Sequence, residues 1–265
     1  MNDKISRVKL YVKDTFKAHD AEIIVKNELL NNGFIIDDNN YDMVISLGGD
    51  GTFLKMLHKT NFNSNIYYAS INAGSLGFLS SVEKDNIKKF ISDLKNNLFN
   101  IRELDLLKIK VSSMEEIEYF SLNELTVRKT DFSSLRSDVY INNDLLENYI
   151  GDGLIVSTSI GSTGYNLALS GPVVDPSVKA YILSSIAPIN NRVYHSLINP
   201  IVISNDKKIT IIPSDNNNLC ILTDGKIINI DNIKRIECSS INNAIKLIVP
   251  KEYNYINNIK AKLVD

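Results

Sequence analysis

Residues 43–59 read MVISLGGDGTFLKMLHK: an apolar run, three glycines around one aspartate, and a helix opening. Met43–Leu47 is short and carries the β-branched pair Val44 and Ile45, which suits a buried parallel strand. Thr52–Lys59 continues as a helix. A strand that runs through glycine into a helix start offers free backbone N–H groups and the positive end of a dipole, and both favour phosphate. Gly48, Gly49 and Gly51 let a ligand approach the backbone closely, and Thr52 stands beside them. Asp50 is the anomaly, because a phosphate cradle should repel a carboxylate. Two readings stand. Asp50 caps the helix or forms an Asx turn. Alternatively it faces a hydroxyl that attacks the phosphate, aligning it and accepting its proton.

The flanking sequence supplies the layer around this unit. Val8–Val12 reads as a strand, and Asp20–Asn31, with Ile23, Ile24, Leu29 and Leu30, as a helix ending before Gly33. Ile66–Ile71 is a further strand and leads into a second glycine turn, Asn72–Phe78 (NAGSLGF); Asp85–Asn96 is an amphipathic helix. Strand and helix alternate through residues 1–100, which predicts an open α/β domain. From residue 101 to 249 the texture becomes β-rich, with strand-like runs at 106–111, 118–122, 125–128, 137–141, 154–157, 208–212, 219–222, 234–238 and 245–249. Asn142-Asn143, Ser214-Asp215 and Asp224-Gly225 act as turns between them. Short helices are expected near 164–169 and 177–185. The last segment, 250–265, reads as a helix that packs back on the first domain.

Composition narrows the function classes. With 29 basic against 31 acidic residues, a general affinity for nucleic acid or anionic membrane is not expected. Cys220 and Cys238 have no metal-ligand spacing, and His19, His58 and His195 lie far apart, so a transition-metal site is not expected. The charged N-terminus has no secretory apolar core, and no run reaches membrane-spanning length; the expected compartment is the cytoplasm. GxGxxG and GxxxxGK[ST] are both missing, so neither an ordinary Rossmann site nor a Walker-type hydrolase is indicated.

Two further segments can carry chemistry. Asn123-Glu124, inside SLNELTV, sets an amide beside a carboxylate; adjacent strand residues face opposite ways, so both can meet one ligand only at a bend or strand end. Gly151–Pro172 (GDGLIVSTSIGSTGYNLALSGP) crowds Ser157, Thr158, Ser159, Ser162 and Thr163 between glycines, with Tyr165 as the one aromatic. Such a loop suits a polyhydroxylated ligand with a ring and phosphates. No G-x-S-x-G elbow is present, so serine hydrolase chemistry is not supported.

In this order, GGDGT at 48–52, NE at 123–124 and GDGL…STSIGSTGYN at 151–166, the chain resembles the bacterial NAD kinases. NAGSLGF at 72–78 and APINNRVY at 187–194 extend the resemblance over nearly the whole chain. The family implies an α/β domain, a β-rich, sandwich-like second domain and an active site in the cleft between them. It implies transfer of phosphate from ATP or polyphosphate to the adenosine-ribose 2′-hydroxyl of NAD, with a divalent metal, expected as Mg2+ on the substrate phosphates. By the same resemblance Asp50 would activate the hydroxyl, and Gly51 and Phe78 would contact the dinucleotide. Asn123 and Glu124 would hold its adenosine. Thr163, Gly164, Tyr165, Asn166 and Ala168 would line the adenine and ribose pocket. Asp152 and Ala187 would serve the nicotinamide half partly across a subunit boundary, implying a homo-oligomer, a dimer or tetramer.

The chain departs from the family's pattern at four points. Ile160 replaces a hydroxyl residue, Gly164 an alanine, Ala168 a common serine, and Ile150 a basic residue. Each lost neutral hydrogen bond weakens affinity by about 1 kcal/mol. GGDG alone is shared with lipid kinases, so a lipid kinase is the alternative enzyme, and a non-catalytic dinucleotide-binding regulator the alternative of another class.

Overall fold

The computed structural model describes residues 5–74, 77–131, 133–215 and 218–264. Ser75 and Leu76 of the second glycine turn lie outside them. The chain divides into two compact units, one comprising 1–103 and 244–265, the other 104–243.

In the first unit the chain runs β1 (Arg7–Val12), α1 (Phe16–Asn31), β2 (Ile35–Ile36), β3 (Met43–Leu47), α2 (Asp50–Lys59), β4 (Tyr67–Asn72), β5 (Val82–Glu83) and α3 (Ile87–Lys95). Its parallel strands lie in the order β4-β3-β1-β2, with β5 also parallel to β4. Every residue of β3 and β4 is buried, as expected for parallel strands covered on both faces. α1 buries Ala18, Ala21, Val25 and Leu29. It starts at Phe16, earlier than the pattern suggests, and leaves Ile23 and Leu30 exposed because the small alanines form the seam. The amides of Gly33 and Phe34 bond to the Leu30 and Leu29 carbonyls, and Gly33 has φ +78°. This left-handed stop ends the helix.

β6 (Phe99–Ser112) carries the chain into the second unit, a pair of sheets. It continues through β7 (Glu116–Ser121), β8 (Glu124–Lys129), β9 (Leu135–Ile141), β10 (Asp144–Gly151), β11 (Gly153–Thr158), the single turn α4 (Tyr165–Ala168), β12 (Ala180–Ile186), β13 (Ile201–Ser204), β14 (Ile209–Pro213), β15 (Leu219–Thr223) and β16 (Lys226–Ile228). One sheet has the order β13-β12-β11-β8-β15-β16; the other contains β10-β9-β14 and β17 (Arg235–Pro250). Leu125, Val127, Leu154, Val156 and Tyr181 from the first sheet share one core with Leu135, Val139, Ile209, Ile211 and Ile236 from the second. Alternate residues of each strand face this core, which makes the unit a sandwich.

The helix expected near 177–185 is instead the strand β12, paired with β11 and β13. Its run AYILS is buried on both faces, so no helical stripe is needed. The two strands read at 234–238 and 245–249 form one strand, β17. From Ala244 onward it belongs to the first unit, where Lys246 and Leu247 pair in parallel with Tyr67 and Tyr68. The second unit therefore ends at Asn243 and not at 249. The tail contains α5 (Tyr255–Ile259), and Arg102 donates to Tyr253 Oη at 2.7 Å while stacking over its ring.

Candidate functional site

In the first unit the polypeptide leaves β3 through Gly48, whose N–H bonds to the Ile71 carbonyl at 3.0 Å. A side chain at Gly48 would meet Thr52 Oγ1 at 2.3 Å, so Gly48 and the buried Thr52 pack on each other. Gly49 and Gly51 have open space where a side chain would stand, as does Gly74 of the second turn. That space continues into two cavities. One, of about 310 Å³, is lined by Lys13, Gly49, Gly51 and Lys55. The other, of about 460 Å³, is lined by Lys13, Phe16, Lys17, Gly48, Gly49 and Gly74. Ammonium groups, open glycines and the start of α2 together make an environment suited to phosphate.

Asp50 is the first residue of α2, and Gly49 is the cap. The carboxylate does not cap its own helix. It accepts the Phe78 N–H at 2.7 Å and the Leu79 N–H at 3.0 Å, one on each oxygen. A β-carbon on Gly77 would lie 1.9 Å from Asp50 Oδ1. Beneath, buried hydroxyls of Ser46, Ser70 and Ser80 form a chain at 3.0 and 3.3 Å. Phe78 is half-buried, with Lys262 Nζ 4.5 Å from its ring centre.

In the second unit Asn123 immediately precedes β8 and Glu124 opens it, the strand-end placement that lets both face one ligand. Asp224 holds the bend. Its carboxylate accepts from Ser121 Oγ, from Leu122 N–H at 3.0 Å and from Asn123 N–H at 2.7 Å. The Asn123 carbonyl is bonded by the Thr158 N–H at 2.8 Å, and Gly161 passes so close that a β-carbon there would lie 2.1 Å from it. Asn123 Oδ1 and Glu124 Oε2 are buried without a partner. Burial pushes the Glu124 carboxyl up to about 7, the Asp224 charge adds to this, and the Tyr165 backbone N–H opposes it. A side chain on Gly164 would stand 2.9 Å from Glu124 Oε2. The glycine in place of the family's alanine therefore avoids crowding that oxygen.

The hydroxyls of the Gly151–Pro172 loop mostly build the loop. Thr158 Oγ1 donates to the Leu122 carbonyl at 2.6 Å, Ser159 Oγ to the Val178 carbonyl, and Ser162 Oγ exchanges bonds with Val174. Asn166 is fully buried. Its amide donates to the carbonyls of Ser162 and Pro172 and accepts from Ser184 Oγ at 2.8 Å, so its side chain frames the loop from within. Thr163 and Gly164 are half-buried, and Tyr165 and Ala168 are exposed. Ile160 and Ile150 point inward at 8% and 4% exposure, so these two departures fill core.

Asp152 and Ala187 come together at the end of β11. Tyr149 Oη donates to the carbonyls of Gly153 and Ile186 and accepts the Gly153 N–H, while Asp152 N–H bonds to Ile186. A β-carbon on Gly151 would lie 2.2 Å from that Tyr149 Oη and 2.9 Å from the Ala187 carbonyl. Asp152 and Ala187 are exposed, and Ala187 has φ +42°.

Asp224 and Gly77 escape sequence reading. Asp224-Gly225 carries the usual sign of a hairpin turn, and nothing in that dipeptide reveals a carboxylate aimed 101 residues back along the chain. Among the described residues no group of three ligating side chains could hold a metal, and no helix is long and apolar enough to cross a membrane.

The chain matches the ATP-NAD kinase N-terminal domain over residues 6–99 and the ATP-NAD kinase C-terminal domain over 122–248. It is 35% identical to an NAD kinase of Finegoldia magna, covering 100% of both chains. It is 34% identical to an NAD kinase of Streptococcus pneumoniae over 91% of this chain and 89% of the other. The fold is shared with yeast NADH kinase complexed with NADH, at TM-score 0.88 and 19% identity, over 99% of this chain and 88% of that one. An Archaeoglobus fulgidus NAD kinase in complex with ATP shares it at TM-score 0.77 and 23% identity, over 97% of each. These matches do not favour the lipid-kinase reading. A lone aspartate in an open glycine turn and a clamped Asn-Glu bend thus sit in a chain that belongs to the NAD kinase family.

Proposed function

We propose that this protein transfers a phosphate from ATP or polyphosphate to the adenosine-ribose 2′-hydroxyl of NAD. The observation that carries the reading is Asp50: a single carboxylate, fixed by two backbone amides, between Gly49 and Gly51, whose faces are open. Phosphoryl transfer asks a protein mainly for positioning and electrostatics. In this reading Gly49 and Gly51 admit the donor's phosphates, and Lys13, Lys17 and Lys55 balance their charge. Asp50 aligns the attacking hydroxyl and accepts its proton. Asn123 and Glu124 offer the adenosine two buried acceptors that lack partners, and Tyr165 a ring face; Thr163, Gly164 and Asp152 complete the contacts.

Mg2+ would be carried by the substrate phosphates beside the glycine turn. The cation would neutralise charge on the transferring group. A cytoplasmic homo-oligomer, dimer or tetramer, completes the proposal. The oligomer is supported by exposed Val202, at 52% exposure on the edge strand β13, and by exposed Val193 and Ile198 ahead of it in the chain.

The test is purified protein with NAD, ATP and Mg2+, read through an NADP-dependent dehydrogenase, with diacylglycerol as a competing acceptor. NADP formation with no lipid product is expected. Lipid phosphorylation without NADP would overturn the reading, and NAD binding without NADP would favour a regulator.

A further inference from the structure

We infer that Gly77 is a positioning residue for phosphoryl transfer, and that it acts by leaving room for a two-amide clasp on Asp50. The inference rests on the proposed role of Asp50. What requires a glycine at 77 is space. A β-carbon at Gly77 would lie 1.9 Å from Asp50 Oδ1, 2.7 Å from Asp50 Cγ and 3.0 Å from Ser80 Oγ. The carboxylate cannot yield cheaply, because both oxygens are already engaged by the N–H groups of the next two residues, Phe78 and Leu79. Nor can it swing freely on a long stem, since Asp50 is the first residue of α2 and its backbone is fixed there.

Gly74 provides the internal contrast. It lies in the same turn, but a β-carbon there meets nothing within 4 Å. Two glycines three positions apart therefore have different reasons. Gly74 borders open space, whereas Gly77 seats the carboxylate. With both oxygens pinned, Asp50 keeps only its remaining lone-pair directions for an incoming hydroxyl, which fixes the direction from which the hydroxyl can approach. Geometry of this kind governs turnover more than affinity, and a displacement of 1 Å can cost about 100-fold in rate.

The experiment compares wild type, Gly77→Ala, Asp50→Asn and the Gly77→Ala/Asp50→Asn double variant, measuring kcat, the KM for NAD and the melting temperature. Gly77→Ala should lower kcat by about 10- to 100-fold with the KM for NAD within about threefold. In the Asp50→Asn background the added Gly77→Ala should cost less than about twofold, because the two act as one unit.

A kcat near wild type in Gly77→Ala, or an equal loss in both backgrounds, would overturn the inference. Asp50→Asn with wild-type turnover would refute the role of Asp50 itself, a distinct failure. Amide hydrogen exchange gives a measurement that needs no change at the glycine. The Phe78 and Leu79 amides should be protected in wild type and lose protection in Asp50→Ala; unchanged protection would also overturn the clasp.

Discussion

Glu124→Gln should make the protein more resistant to unfolding at alkaline pH and leave it nearly unchanged at pH 5. The Glu124 carboxyl is 7% exposed, one of its oxygens has no partner, and its pKa is raised from 4.5 to about 7. Burial is the main cause, and the Asp224 charge follows. A raised folded-state pKa means the folded chain holds a proton that the unfolded chain has released. Its stabilising contribution is complete below about 4.5 and is lost as pH rises through about 7. At 1.36 kcal/mol per pKa unit, the span amounts to ~3 kcal/mol. The neutral glutamine has nothing to ionise. Urea unfolding of wild type and variant at pH 5 and pH 8.5 should therefore show a stability difference that changes by ~3 kcal/mol in the variant's favour. Parallel pH profiles would refute the reasoning, because they would mean that Glu124 titrates alike in both states.

Asp224→Asn should raise the KM for NAD about tenfold, since the Asn123-Glu124 bend loses a charged acceptor worth about 1.5–3 kcal/mol. The same change should also move the Glu124 transition to lower pH, which the unfolding series can follow. Asn166→Leu should destabilise the fold by about 3 kcal/mol, because two buried carbonyls and the Ser184 hydroxyl lose their partner; thermal denaturation reads this directly. Lys13→Ala should raise the KM for ATP about tenfold while leaving the KM for NAD unchanged, as it lines the two cavities beside the glycine turn.

The sequence exposed most of what is periodic or local. Met43–Leu47, the glycine turn and α2 are readable because a buried parallel strand and a helix start have compact signatures. The Asn123-Glu124 doublet is readable only as a candidate. Alternation would have split the two residues across a sheet, and what gathers them is Asp224, whose role depends on contacts about 100 residues distant. The same limit hid the β12 strand, whose fully buried run carries no alternation and passes for a helix. The loop hydroxyls misdirect for another reason. Serine and threonine serve ligands and backbone carbonyls equally well, and Thr158 and Ser162 go to the backbone. Gly77 is invisible because a glycine's cause lies in whatever occupies the space beside it.

The central claim is that Asp50 acts on the acceptor hydroxyl and does not simply hold the dinucleotide. Its most direct test is Asp50→Asn, with NADP formation and NAD affinity measured on the same preparation. The account predicts NAD binding within a few-fold of wild type and a loss of about 10²–10⁴-fold in kcat, the usual contribution of a positioned general base. Near-normal turnover in Asp50→Asn would contradict it.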